Sequence, residues 1–178
     1  VMSLKSNFEL MADYNQWMNK SIYLAASKLN ADDLSNDRGA FFGSIIGTLN
    51  HILVGDIIWL KRFADHPSKL KTLDYVRDLN TPKALGAILY PEFKNLESAR
   101  IKMDEVIRDF AHELTDEALE SNLSYSNTKG EPFNKKFGHL IQHFFNHQTH
   151  HRGQASTLLS QAGVEVGVTD LLVKIPNA

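Results

Sequence analysis

Four stretches of this chain, each about twenty residues long, carry apolar residues at the spacing of an α-helix, and that leaves few ways to bury them. In residues 6–29, Leu10, Tyr14, Trp17, Ser21 and Leu24 form one stripe, with Met11, Met18, Ile22, Ala25 and Leu29 beside it. A second stripe, over 44–64, runs through Ile45, Leu49, Ile52, Asp56, Trp59, Leu60 and Phe63. Ser44 stands where an N-cap belongs, and His66-Pro67-Ser68 stops the helix. The third segment begins near Pro91, a residue tolerated in a first turn, and reaches about 114 through Phe93, Leu96, Ile101, Val106, Ile107 and Phe110. The fourth spans 136–161, and Gly163 marks its end. Four such helices must bury their stripes against one another, which predicts an all-α fold, a four-helix bundle forming one domain over 1–178.

The intervening segments are of other kinds. Residues 30–39 are polar and turn-like, and 67–86 read as irregular with room for a short helical piece. Thr115-Asp116-Glu117 restarts a short turn. Between 121 and 137, Leu123 and Tyr125 alternate with serines, and Asn127-Thr128-Lys129-Gly130 is a turn, so a small hairpin or extended loop is expected before the last helix. The last fifteen residues read as a tail or short strand.

Formal net charge is −2, with no basic stripe, which argues against a nucleic-acid partner. No apolar run approaches the roughly 20 residues that span a bilayer, so no membrane partner is expected. The chain has no cysteine, hence no disulfide, no thiolate metal site and no thiol nucleophile of its own. Together with a start that lacks the apolar stretch of a signal peptide, this predicts a cytoplasmic protein.

The unusual feature is histidine: eight residues, five of them between His139 and His151. The fourth segment has an apolar stripe through Phe137, Leu140, Ile141, Phe144, Gln148, Ala155, Leu158, Leu159 and Ala162, and His147 and His151 interrupt it. Four residues apart, they project from one helix face one turn apart and can ligate one metal ion. A third ligand must come from another helix. His51 is the best candidate, framed by Gly47 and Gly55, each costing a helix roughly 1 kcal/mol relative to alanine. That pair suggests cleared space, for a close helix approach or for a pocket over a metal. Three nitrogen ligands with an open position make the pattern of a reactive site rather than a closed structural one. The alternative is a set of rim or hydrogen-bonded core histidines. Asp56 could orient a ligand histidine or pair with Arg or Lys across the bundle. His143 could sit behind the ligands or line the cavity mouth, and Gln154 is a further candidate there. His139 and His150 read as a solvated flank, and His66 and His112 as surface residues at helix ends.

The segment Asn146-His147-Gln148-Thr149-His150-His151-Arg152-Gly153-Gln154 resembles the hallmark fourth-helix segment of the DinB/YfiT superfamily of metal-binding four-helix bundles. Asn50-His51-Ile52-Leu53, followed by Asp56 and Trp59, is similar to its second-helix segment, and Tyr14-Asn15-Gln16-Trp17 to its first. The likeness runs through nearly the whole chain. It implies an up-down-down-up bundle with a long crossover and one divalent metal ion, zinc or nickel, on His51, His147 and His151. It further implies a homodimer. Some members of that superfamily are metal-dependent enzymes that use a low-molecular-weight thiol: bacillithiol S-transferases or a mycothiol-dependent isomerase. By that likeness, small-molecule thiol and electrophile are the expected partners. The alternatives are a metal-dependent hydrolase using activated water, for which Asp56 and His143 are the only weak candidate bases, and a non-catalytic metal-binding stress-response module.

Overall fold

The structure, a computed structural model, describes residues 2–178. Its elements are α1 (Leu4–Ala26), α2 (Ala31–Ser35), α3 (Ile45–Ala64), α4 (Asp74–Arg77), α5 (Phe93–Glu113), α6 (Asp116–Glu120), β1 (Asn122–Ser126), β2 (Pro132–Lys136) and α7 (Phe137–Gln161), with short 3-10 turns at Lys71–Leu73 and Leu171–Lys174. The long helices α1, α3, α5 and α7 lie within a few residues of the segments the apolar period marks out. Ser44 does cap α3, its hydroxyl accepting from Gly47 N at 2.9 Å. Gly163, in the left-handed region at φ +84°, terminates α7 as Val164 N turns back to Leu159 O.

Side-chain pairs fix the helix directions. Along α1 and α5, Glu9 meets His112, Asp13 meets Arg108 and Asn19 meets Asp104, so these helices run antiparallel. Along α3 and α7, His51 meets His151, Asp56 meets Gln148 and Phe63 meets Phe144, again antiparallel. Phe8 packs on Phe145 and Asn15 reaches Arg152, so α1 and α7 run parallel. The result is up-down-down-up. α3 and α5 point the same way, and the long connection over residues 65–92 carries the chain back between them.

That connection holds the 3-10 turn and α4, and Leu70, Leu73 and Val76 sink into the core from it. β1 and β2 form an antiparallel hairpin, Tyr125 opposite Phe133. Three segments differ from expectation. Residues 31–35 are a helical turn, because Asn30 caps it through Asp33 N and Leu34 buries. The last fifteen residues contain a 3-10 turn and no strand; Tyr14 donates from its hydroxyl to Thr169 O, and Val166 and Leu171 pack on the core. His66 is buried, not superficial: its ring stacks on Phe137 with centroids 4.2 Å apart and bridges the hydroxyls of Ser68 and Ser121.

The core has two kinds of layer. Away from the histidines, Phe63 stacks on Phe110 and meets Phe137 and Phe144 edge-on, all fully buried. Nearer the histidines lies a buried polar layer drawn from all four long helices: Asn15 and Asn19, Asp56, Arg100 and Asp104, Gln148 and Arg152.

Candidate metal centre

The structure brings His51, His147 and His151 together. The Nε2 atom of His51 lies 3.1 Å from the Nε2 atoms of both His147 and His151. Tetrahedral Zn–N bonds of about 2.0–2.1 Å place ligand nitrogens roughly 3.3 Å apart, so the spacing suits one ion bound by three imidazoles. The outer nitrogens settle the tautomers. His51 Nδ1 lies 2.8 Å from the Leu85 carbonyl, and His151 Nδ1 lies 2.8 Å from Gln154 Oε1. Both oxygens only accept, so Nδ1 holds the proton in each ring. Nε2 of His51 and of His151 therefore present lone pairs to each other with no proton between them. A cation removes that repulsion, and the donor set fits one. Outer partners of this kind also hold ligand rings in place.

Two glycines shape the surroundings. A Cβ at Gly55 would come 2.5 Å from Cε1 of His147, so the missing side chain is where the imidazole sits. A Cβ at Gly47 would come 2.2 Å from the Phe42 carbonyl oxygen. That close approach lets Phe42 stack on the His51 ring at 3.7 Å between centroids. Gly55→Ala should therefore be a clean test. Alanine favours the helix by about 1 kcal/mol, while its methyl displaces His147. The expected outcome is an unchanged or raised melting temperature of the metal-free protein with metal affinity down at least about tenfold, read by competition with a colorimetric chelator. Retained affinity would mean that His147 needs no fixed position.

Burial lowers the pKa of all three imidazoles; His147, also beside His151 and His51, falls to about 3. The rings stay neutral, as metal ligands must. Between pH 3 and the ordinary value near 6.5, the unfolded chain carries a proton on His147 that the folded chain refuses. Stability of the metal-free protein should thus fall as pH drops from about 6.5, and be insensitive to this cluster above it. Scanning calorimetry should show a shallower decline in His147→Gln than in the wild type across that window.

The nitrogens face a cavity of about 420 Å³, walled by Phe41, Phe42, Ile58, Trp59 and Leu85 and rimmed by Arg62 and the hairpin tip at Asn127 and Thr128. None of the described residues lining it is a carboxylate. Asp56 does not touch a ligand ring. It is fully buried, ion-paired to Arg100 at 2.7 Å, and accepts from Gln148 at 2.9 Å. His143 is exposed and packs edge-on against Trp59 at 5.0 Å, beside rather than behind the ligands. His139 and His150 are exposed on the α7 flank, and His112 pairs with Glu9 at the surface. Sequence reasoning did not single out Phe42, the Leu85 carbonyl or Arg62. A backbone carbonyl leaves no side-chain signal, and Phe42 and Leu85 come from loops without periodicity.

A bundle that runs up-down-down-up, with three histidine nitrogens converging at the base of an open cavity, belongs to the class of helical proteins equipped to hold a metal ion on imidazole. The relatives sharpen this. The family model described as the DinB family matches residues 2–177, and the chain belongs to that family. Among curated proteins it is similar to Protein DinB of Bacillus subtilis (strain 168), 24% identical over 160 residues that cover 89% of this chain and 87% of that protein. No solved structure matched significantly. Among the described residues, no helix is long and apolar enough to cross a membrane.

Proposed function

We propose that this protein binds one divalent ion, zinc or nickel, through His51, His147 and His151, and uses it to transfer a low-molecular-weight thiol to an electrophile. One observation carries the reading: the three nitrogens open onto a cavity of about 420 Å³ instead of being sealed in the core. A purely structural site closes its coordination sphere, whereas a reactive one keeps a position open. When bound, the ion supplies a Lewis acid that lowers the pKa of a thiol, so that thiolate is present near neutral pH.

The protein's own residues fit thiol transfer better than hydrolysis. Hydrolysis calls for a base beside the ion, and the nearest buried acid, Asp56, is committed to Arg100 and Gln148. A thiol needs no such base once ionised. The aromatic and aliphatic wall suits an apolar electrophile, with exposed Phe41 at the mouth. The absence of cysteine agrees with a nucleophile that arrives as cosubstrate.

The test is a panel of small thiols against an aryl halide and an epoxide, run with metal-loaded and chelated protein. Metal-dependent conjugation of at least one thiol is expected. Metal-dependent ester cleavage without any thiol would favour the hydrolase reading instead, and no turnover by loaded protein would leave a metal-binding module.

A further inference from the structure

Arg62 is a cation with no partner of its own. Its guanidinium lies over the Trp59 ring at 4.6 Å and near the Tyr125 ring at 5.2 Å, clamped between α3 and β1. Among the described residues it makes no ion pair and no hydrogen bond. The neighbouring cations are committed elsewhere. Lys61 Nζ donates to the carbonyls of Val76, Arg77 and Leu79, and Arg77 donates to the Ala64 carbonyl and pairs with Asp74. Asp65 shares two adjoining clefts with Arg62 but forms no ion pair with it. Desolvation lowers the Arg62 pKa, which marks a partly buried charge without a counter-charge.

The same cavity is lined by Arg62 and by the three histidines. His51, Gly55, Trp59 and Arg62 descend one face of α3, and eleven residues of helix separate the first from the last by roughly 16 Å between Cα atoms. Side chains lean toward a helix's N-terminus, so the guanidinium points back along the cavity toward the nitrogens. An arginine fixed by two aromatic rings presents a planar fork that matches a carboxylate, with little rotamer freedom left to lose on binding.

We propose that Arg62 is a specificity-determining residue: it binds a carboxylate at one end of an elongated ligand whose other end reaches the three histidines. This deepens the thiol reading above and rests on it for the identity of the metal-seeking end. The ligand is then a thiol acid long enough to span the cavity, and a neutral thiol of equal length binds less well.

The probes are 8-mercaptooctanoate and the neutral 8-mercaptooctan-1-ol, added to the cobalt-loaded full chain. Calorimetry gives the affinities, and the near-ultraviolet sulfur-to-cobalt absorption band reports a thiolate on the metal. The acid should bind at least about tenfold tighter than the alcohol, as expected for a charge-assisted hydrogen bond. Added salt should shrink that preference. Arg62→Gln should abolish it while leaving cobalt content and alcohol affinity unchanged, and Arg62→Lys should restore part of it. Should Arg62→Gln fail to fold, Arg62→Lys and the salt series in the wild type still decide. Equal affinities in the wild type, or a preference that survives in Arg62→Gln, overturn the proposal. The absorption band with no acid preference sinks Arg62 and leaves the thiol reading standing. An Arg62-dependent preference without the band sinks the thiol reading and leaves Arg62 standing.

Discussion

His147→Ala is expected to strip the metal from this protein while leaving the bundle folded. His147 Nε2 is one of three nitrogens arranged around a single point, and its ring fills the space that Gly55 leaves open. Removing an outer partner of a ligand typically costs 10–100-fold in metal affinity. Removing a ligand outright should exceed that, since two imidazoles are left to do the work of three. Elemental mass spectrometry of the wild type after loading with zinc or nickel should find about one ion per chain. His147→Ala, His151→Ala and His51→Ala should each retain almost none after desalting, and Gln154→Ala, which frees the His151 ring without deleting it, should be intermediate. Stability gives an independent readout. An ion held at about a hundredfold above its dissociation constant adds about 2.7 kcal/mol to the folded state. Chelation should therefore lower the melting temperature of the wild type and leave that of the three alanine variants where it was. A wild type that takes up no metal under any loading condition would reduce the cluster to rim and core histidines, and the thiol reading would fall with it.

How far the sequence foretells this site depends on which interactions leave a mark in it. Two histidines one turn apart inside an apolar stripe are visible because nothing else in α7 interrupts that stripe with rings that need nitrogen partners. Gly55 is visible as a helix-weakening residue one turn from His51, and the structure shows what the missing methyl makes room for. Of the outer partners, Gln154 is a candidate from the sequence and does reach His151 Nδ1, whereas Leu85 acts through its carbonyl and leaves no mark. The bundle is legible from periodicity, and most residues of the stripes do bury, but the margins of the stripes do not. Leu24 and Ile101 fall on the apolar stripes but lie 66% and 51% exposed, because helices at the edge of a bundle bury a narrower arc than a stripe read every three or four residues implies. α1 turns Tyr23 and Ala26 inward in its last turn, beside the expected Ile22 and Ala25. His66 shows the reverse failure: it stands past the end of a helix, and only the arrival of Phe137 from a distant part of the chain covers it. Asp56 is the instructive case. Its place on the stripe of α3 shows that it is buried, but the choice between a ligand ring and a cation across the bundle needs the third dimension, which supplies Arg100.

Arg100→Met should be among the most destabilising single substitutions in the chain, at about 3–5 kcal/mol, because it removes one partner from a buried charge network. Arg100 is 2% exposed. Its Nη2 lies 2.7 Å from Asp56 Oδ2 and 2.8 Å from Asp104 Oδ1, and its Nε donates to Asp104 Oδ1 at 2.9 Å. Asn15 and Asn19 donate to Asp104, Gln148 donates to Asp56, and Arg152 donates to Asn15. Methionine fills the volume but leaves two buried carboxylates without the guanidinium that ion-pairs both of them. Burial already raises the Asp104 pKa, against the pull of Arg100 in the opposite direction. Without Arg100 it must rise further. The folded variant then binds protons the unfolded chain does not, so its stability increases as pH falls, and the deficit against wild type should be smaller at pH 5 than at pH 8. At 2–4 °C per kcal/mol for a chain of this size, the neutral-pH deficit corresponds to roughly 6–20 °C in melting temperature. Adding Asp56→Asn and Asp104→Asn to Arg100→Met should recover much of it, since the amides carry no charge and each keeps an oxygen to accept from the donors already aimed there, Gln148 at position 56 and Asn15 and Asn19 at position 104. A purely volumetric role for Arg100 predicts no pH dependence and no recovery. Metal affinity is the last discriminator: Gln148 and Arg152 directly follow His147 and His151 in α7, so the network sets the rotation of that helix against α3. Arg100→Met should weaken metal binding without touching a ligand, and the triple variant should restore it.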